Sequence, residues 1–160
     1  MKMIDISEKG MVDRKATAEG CLILRHTTVE AIRKRTIRKG DPFGVGEAAA
    51  LLAVKSTPSL IPHCHPIPIT SVSVHFRIEE SKVICTCEVR ARYSTGVEME
   101  ALTGVSVGLL TVWDMVKYLE KDDNGQYPEA EIRSIKVLEK RKGHSQTTDP
   151  NANQGADHGL

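Results

Sequence analysis

The chain has 160 residues, which is long enough for one well-packed domain and too short for two ordinary ones. Its net charge of +1 argues against a general nucleic-acid or membrane surface. Four cysteines without a basic-apolar leader favour a reduced, intracellular protein over a disulfide framework. No apolar run approaches the roughly 20 residues of a membrane span. The totals therefore predict a soluble, cytoplasmic protein.

The first half of the chain alternates between irregular and periodic stretches. A proline-rich stretch cannot form a regular helix or a central strand, and Asp41 followed by Pro42 is typical of a helix start. The predicted elements are an extended arm over 1–19, a strand over 20–26, a basic helix from 27 or 28 to about 39, a helix from 42 to 55, and an irregular segment over 57–68.

The second half shows period-two alternation and then helical periodicity. The predicted elements are two strands of a hairpin over 72–78 and 83–91, a central helix ending near 120, a polar loop over 121–128, and a strand over 132–138. Residues 144–160 contain almost no apolar side chains, which predicts a disordered tail after a single domain over 1–143. The order of elements predicts an α+β fold with helices on one face of an antiparallel sheet, compatible with a ferredoxin-like βαββαβ pattern.

The central helix carries charge at both ends. At helical spacing Glu100, Asp114 and Lys117 fall on one line, which predicts a buried stripe with charged ends roughly 25 Å apart. Gly104 and Gly108 within it indicate that another backbone lies close by. The end charges serve either the helix dipole or a functional site.

The histidines and cysteines do not follow the usual metal-ligand spacings. His63 and His65 flank Cys64 in a proline-rich loop, and Cys85 and Cys87 share the core face of a strand. No CxxC or HxxxH pattern is present, so no metal site is predicted. A loop held by prolines on both sides is instead a suitable mount for an imidazole that contacts substrate.

Two lysines follow apolar helical stretches at ends that would border a pocket. Lys55 and Lys117, if partly desolvated there, would have a lowered pKa and could act as general acid or base. Asp114 lies on the same helix face as Lys117 and would either orient its ammonium group or form a surface ion pair. No phosphate-binding glycine loop or serine nucleophile motif is present, so side-chain cations would have to hold any phosphate.

Four motifs carry a resemblance to a known family. MIDISEK at 3–9, KGDPF at 39–43, SLIPHCHP at 59–66 and GVEMEALTGVSVGLLTVWDMVK at 96–117 closely resemble the molybdenum cofactor biosynthesis protein C family. These proteins are the cyclic pyranopterin monophosphate synthases, and the resemblance covers residues 3–143. It implies a ferredoxin-like subunit in a homohexamer, a trimer of dimers with active sites at the dimer interface.

The resemblance also implies an activity. Family members are lyases that convert a cyclic dihydro-GTP intermediate (the 3′,8-cyclo form of 7,8-dihydro-GTP) into cyclic pyranopterin monophosphate and release pyrophosphate. The intermediate comes from a radical S-adenosylmethionine enzyme. No cofactor is implied, and Mg²⁺ accompanying the triphosphate stays an open alternative.

The implied site residues fall into catalytic and substrate-binding groups. Lys55, Lys117 and Asp114 match the family's catalytic lysines and their aspartate. The positions matched to substrate binding are Lys9, Arg14, Lys39, His65, Glu98, Met99, Glu100 and Lys140.

The chain departs from the family pattern at three places. Lys2 stands where many members have histidine, His63 replaces the usual leucine of the loop, and residues 122–132 are longer and more polar than is typical. Two other functions stay open. One is a non-catalytic hexameric nucleotide-binding module that uses the same cations, and the other is a metal-dependent hydrolase that uses His63 and His65.

Overall fold

The computed structural model describes residues 2–143 of the chain. The elements in chain order are β1 (Val12–Ile23), α1 (His26–Arg33), α2 (Pro42–Leu60), β2 (Ile69–Glu79), β3 (Lys82–Tyr93), α3 (Glu98–Glu120) and β4 (Glu131–Lys142). The disordered tail predicted for 144–160 lies outside the described residues.

The four strands form one antiparallel sheet in the order β2-β3-β1-β4. Alternate residues of β1 and β3 face the helices and are small or apolar, so the buried face is continuous across the two central strands. With α2 and α3 packed on that face, the molecule is a ferredoxin-like α+β fold, as predicted.

Helix α3 packs against α2 and against strands β1, β3 and β4 of the sheet. Val105, Leu109 and Val112 are fully buried along its inner side. A Cβ at Gly104 would stand 3.6 Å from the carbonyl oxygen of Ala50 on α2. The close approach of a second backbone that the glycines indicated is therefore confirmed.

Strand β1 is longer than the sequence indicated. It begins at Val12, so the extended arm ends at Met11 instead of residue 19. Its buried side chains include Ala16 and Ala18, which are too small to give a clear hydrophobic alternation. Pairing with β3 and β4 on both sides makes these residues a central strand.

The first two helices also differ from their predicted bounds. Helix α1 ends at Arg33, and no side chain caps its start; instead the backbone N–H of Arg25 donates to the buried carboxylate of Glu120. The Asp41 cap on α2 is confirmed by a hydrogen bond from the Phe43 N–H. The helix runs on to Leu60, because a proline at 58 removes only one hydrogen bond close to the helix end.

The buried stripe predicted on α3 is wrong in its middle, because Leu110, which falls on the same line, is exposed. Of its charged ends, Glu100 is buried, whereas Asp114 and Lys117 are exposed. By length and composition alone, α3 could also cross a membrane, since its most apolar 18-residue window has a mean hydropathy of 1.3. Half of that window is buried inside the protein, as is usual for the core helix of a soluble protein.

Candidate functional site

The C-terminal end of α3 carries three predicted site residues in direct contact, which we call the lysine cluster: Lys39, Asp114 and Lys117. The Lys117 Nζ lies 2.7 Å from Asp114 Oδ1, and the Lys39 Nζ lies 2.7 Å from Asp114 Oδ2. Lys39 also donates to the Asp114 carbonyl oxygen at 2.9 Å. One carboxylate therefore holds two ammonium groups side by side at the protein surface.

The contacts within the cluster shift the pKa values of Asp114 and Lys117. Hydrogen bonds from Lys117 and then Lys39 lower the pKa of Asp114 to about 2. The hydrogen bond to Asp114 raises the pKa of Lys117 above its ordinary value. The lowered pKa predicted for Lys117 is therefore wrong within one chain, because its ammonium group is exposed and paired, not desolvated.

The opposite end of α3 borders a cavity of about 560 Å³, which we call the carboxylate pocket. It lies between the N-terminal arm, the proline-flanked loop and the first turn of α3. The predicted site residues that line it are Lys9, His65, Glu98, Met99 and Glu100. Lys2 and His63, two of the three places where the chain departs from the family pattern, line it as well.

The two carboxylates of the pocket have opposite pKa shifts. Burial, together with the charge of Glu98, raises the pKa of Glu100, whose Oε2 is buried without a hydrogen-bond partner. Burial alone would raise the pKa of Glu98, but the hydrogen bond from Lys140 at 2.5 Å and the charges of Lys140 and Arg14 lower it. When the pKa values of two neighbouring carboxyl groups are shifted apart in this way, one group can donate a hydrogen bond while the other accepts one.

Predicted phosphate-binding cations stand beside this pocket. Arg14 donates to the carbonyl oxygens of Tyr93 and Ser94 at 3.3 and 3.1 Å. The Ser94 hydroxyl donates at 2.8 Å to the carbonyl oxygen of Lys9. Arg14 is thus held where the arm joins the sheet, next to the Glu98–Lys140 ion pair.

The structure does not bring Lys55 to either group. It is exposed on α2 and lines a shallow groove with the start of β2, including Ile69. The lysine that shares Asp114 with Lys117 is Lys39, which the sequence analysis matched to substrate binding and not to catalysis. Helical spacing could not reveal this, because Lys39 and Asp114 are 75 residues apart in the chain.

The lysine cluster and the carboxylate pocket are separated along α3. From Glu100 to Lys117 the axial rise is about 25 Å at 1.5 Å per residue. A single nucleotide-sized ligand cannot reach both ends of the helix on one chain.

Metal-binding and thiol chemistry have little support among residues 2–143. No group of three or more metal-ligating side chains occurs there. Burial raises the pKa of Cys85 and Cys87 to about 12, and burial followed by the charge of Glu100 raises that of Cys64. These thiols are therefore poor nucleophiles at neutral pH.

The fold and the site define a class: a small ferredoxin-like protein with cations and paired carboxylates at opposite ends of its central helix. Comparison with known proteins gives a narrower answer. The family model described as "MoaC family" matches residues 3–143. The chain therefore belongs to the MoaC family.

Similar curated proteins carry consistent names. The chain is 53% identical to a probable cyclic pyranopterin monophosphate synthase of Thermococcus kodakarensis over 89% of this chain and 92% of the relative. It is equally identical to the Pyrococcus abyssi protein of the same name, over 91% of each. A relative in Methanothermobacter thermautotrophicus, 49% identical over 89% of each chain, is named a probable synthase accessory protein. The chain is accordingly an enzyme of the lyase class in molybdenum cofactor biosynthesis.

Proposed function

We propose that this chain converts the 3′,8-cyclo form of 7,8-dihydro-GTP into cyclic pyranopterin monophosphate and releases pyrophosphate. The names of its relatives and its family support the reaction. The observation that carries the proposal is the lysine cluster, because its two fixed ammonium groups suit a triphosphate that loses pyrophosphate.

The phosphate step needs charge neutralisation and a route for one proton. A hydroxyl oxygen of the substrate bonds to the α-phosphorus, the bond from that phosphorus to the bridging oxygen breaks, and pyrophosphate leaves. The hydroxyl proton passes to a base. Ammonium groups beside the leaving pyrophosphate stabilise the charge that develops on it, which is the main electrostatic contribution we assign to the cluster.

Within the cluster we assign the acid role to Lys117. Because Asp114 raises its pKa, Lys117 is protonated at neutral pH and suits a proton donor or phosphate clamp better than a free-amine base. Lys39 is the second lysine of the pair. Lys55, predicted as catalytic from the sequence, lies beside neither the cluster nor the pocket of its own chain. It would contact a bound substrate only if it belonged to another subunit or approached from the β2 side of α2.

The carboxylate pocket is proposed to hold the base of the substrate. Glu98, with its lowered pKa, would accept hydrogen bonds from ring N–H groups. Glu100, with its raised pKa, would donate one when protonated. Met99 and His65 line the same cavity, and the cations Lys9, Arg14 and Lys140 stand within or beside it.

Because the two groups are about 25 Å apart on one chain, we propose that each active site combines the pocket of one subunit with the cluster of another. A homohexamer built as a trimer of dimers, with sites at the dimer interface, satisfies this requirement. Unpaired apolar side chains on the helix surfaces, Leu52 at 65% exposure and Leu110 at 54%, are consistent with assembly. We further propose a cytoplasmic location and supply of the substrate by a radical S-adenosylmethionine enzyme. No cofactor is assigned, and Mg²⁺ with the triphosphate remains an alternative.

The test is pyrophosphate release from freshly prepared cyclic dihydro-GTP. The parent should release pyrophosphate, and Lys117→Ala should assemble normally yet lose nearly all turnover. Lys82→Ala is the matched control, because that half-exposed lysine at the start of β3 pairs with Glu79 beside the hairpin turn and belongs to neither the lysine cluster nor the lining of the carboxylate pocket. Full activity of Lys117→Ala would remove Lys117 from the mechanism.

A non-catalytic nucleotide-binding module is the second candidate, favoured by the one relative that is named an accessory protein. It predicts tight binding of the intermediate by the assembled parent with no pyrophosphate released. In that case Lys117→Ala would change only the affinity.

A further inference from the structure

The segment 33–39, from the last residue of α1 into the connection to α2, is strongly basic. It contains Arg33, Lys34, Arg35, Arg38 and Lys39 and no carboxylate, in a chain whose net charge is only +1. Apart from Lys39, which belongs to the lysine cluster, none of these residues has a role in the proposed reaction.

Most of this charge is uncompensated. Arg33 lies 3.5 Å from Glu30, and Lys39 is held by Asp114. In the part of the chain that the structure describes, Lys34, Arg35 and Arg38 form no ion pair with a carboxylate. All three are exposed.

The segment is also fixed in place. Ile37 is buried in the core, and the backbone N–H of Arg38 donates at 3.0 Å to the hydroxyl of Tyr118 on α3. The Arg38 guanidinium lies 5.3 Å from the centre of the same ring, within cation–π range. Two bonds to the Ala31 carbonyl, from the N–H and hydroxyl of Thr36, close the turn that follows α1.

We infer that Lys34, Arg35 and Arg38 form a cationic rim that draws the substrate's triphosphate to the lysine cluster without taking part in the chemistry. Arg38 immediately precedes Lys39 of the cluster and stacks on Tyr118, the residue after Lys117, while Lys34 and Arg35 lie in the same short basic segment. Exposed cations act on a polyanion through the long-range field, which salt screens over about 10 Å at 0.1 M ionic strength. This inference rests on the proposed function and adds to it a group that governs capture.

The experiment compares the double variant Lys34→Gln/Arg35→Gln with the parent at low and high ionic strength. At low salt we expect KM to rise about 3- to 10-fold with kcat unchanged, and the difference should shrink towards zero near 0.5 M salt. Arg38→Gln is measured separately, because it also removes the contact with Tyr118. The matched control is Arg133→Gln/Lys136→Gln, which removes the same charge from two exposed residues of β4.

An unchanged KM at low salt, or an equal rise in the control, would overturn the inference. So would a fall in kcat at saturating substrate, because that would give the rim a chemical role. Binding of inorganic tripolyphosphate, measured by calorimetry on the assembled protein, separates this inference from the proposed reaction. If the parent shows no turnover but the rim variant still binds tripolyphosphate several-fold more weakly than the control, the reaction fails and the rim stands.

Discussion

At Asp114 one carboxylate holds two ammonium groups, and the pKa values of Asp114 and Lys117 are shifted in opposite directions by their mutual hydrogen bond. The sign of the pH effect follows from the two shifts. Asp114, with a pKa of about 2, stays ionised down to strongly acidic pH. The stability that its ion pairs contribute is lost as the pH falls through that value. Lys117, with a raised pKa, keeps its charge until the pH rises beyond the usual range for lysine. The Asp114–Lys117 ion pair is therefore charged throughout the neutral range.

Replacing Asp114 with asparagine should release Lys117 from this control. We expect Asp114→Asn to reduce kcat by at least about 10²-fold and to move the alkaline limb of the pH profile to lower pH, because the pKa of Lys117 falls towards its ordinary value. The pH dependence of kcat and an NMR titration of the Lys117 ammonium group measure the two effects. Asp123→Asn, in the loop after α3, serves as the control. An unmoved alkaline limb would mean that Lys117 does not titrate in that limb.

Glu100 should cost stability at neutral pH, because a buried carboxylate with an unpartnered oxygen is ionised at the expense of folding. Its pKa is raised in the folded state, so the penalty is absent below the unfolded pKa and grows as the pH rises. We expect Glu100→Gln to gain about 1 kcal/mol in urea unfolding at pH 7 and nothing at pH 4. Turnover should fall in the same variant.

Glu98→Gln is the matched comparison for this measurement. The pKa of Glu98 is lowered, so its contribution to stability is present above the unfolded pKa and is lost as the pH falls. The variant should therefore lose stability at pH 7. If both variants changed stability in the same direction, the opposite roles of the two carboxylates would be contradicted.

At the scale of a single element, α3 depends on two glycines for its fit against α2 and the sheet. A Cβ at Gly104 would meet Cys87 Sγ at 2.8 Å and a methyl carbon of Val54 at 2.9 Å. At Gly108 the nearest atoms would be the Phe76 ring at 3.2 Å and then Ala50 at 3.4 Å. A Cβ therefore has less room at Gly104 than at Gly108, although the gain in helix propensity would be the same at both positions.

Gly104→Ala should therefore destabilise the protein by about 1–3 kcal/mol, since overpacking outweighs the roughly 1 kcal/mol gained in helix propensity. Gly108→Ala should change stability by less than about 1 kcal/mol, because the aromatic ring can shift by a few tenths of an ångström. Urea unfolding of both variants measures the difference. Equal effects at the two positions would show that α2 and α3 can move apart at little cost.

At the scale of the whole molecule, the proposed active site combines the carboxylate pocket of one subunit with the lysine cluster of another, because the two groups lie at opposite ends of α3. We expect an equal mixture of Glu98→Ala and Lys117→Ala, each inactive alone, to recover about a quarter of the parental turnover after dissociation and reassembly. Half of the dimers would be mixed, and one of the two sites in each would contain both intact residues.

The control for this mixture is Lys117→Ala reassembled with Asp114→Asn. Both changes lie in the lysine cluster, so every chain has a changed cluster and no site in a mixed dimer contains an intact one. No recovery is expected there. If the first mixture also stayed inactive, the site would have to lie within one chain.

The sequence predicted what local periodicity and turn chemistry determine. The hairpin of β2 and β3, the Asp41 cap and the long helix α3 follow from alternation, capping and helical spacing. The start of β1 was missed, because Ala16 and Ala18 are buried by pairing with two neighbouring strands and not by their own hydrophobicity.

The site was predicted only where its contacts lie within one helix. Asp114 and Lys117 are one helical turn apart, so their contact could be expected from spacing alone. The position of Lys39 beside them depends on how the segment after α1 folds over α3, which no local pattern contains. The family resemblance supplied Lys39 as a substrate-binding residue, and its pairing with Asp114 became visible only in three dimensions.

Helix α3 holds the pocket and the cluster at its two ends, so insertions and deletions between those ends should not be tolerated. Inserting or deleting one residue in its middle would turn one end by about 100° relative to the other and shift it by 1.5 Å. Both ends could not then face their partners in an assembled protein. Length variation among relatives should therefore accumulate in the loop over 121–130 and be absent between Glu98 and Lys117, which an alignment of many family sequences would reveal.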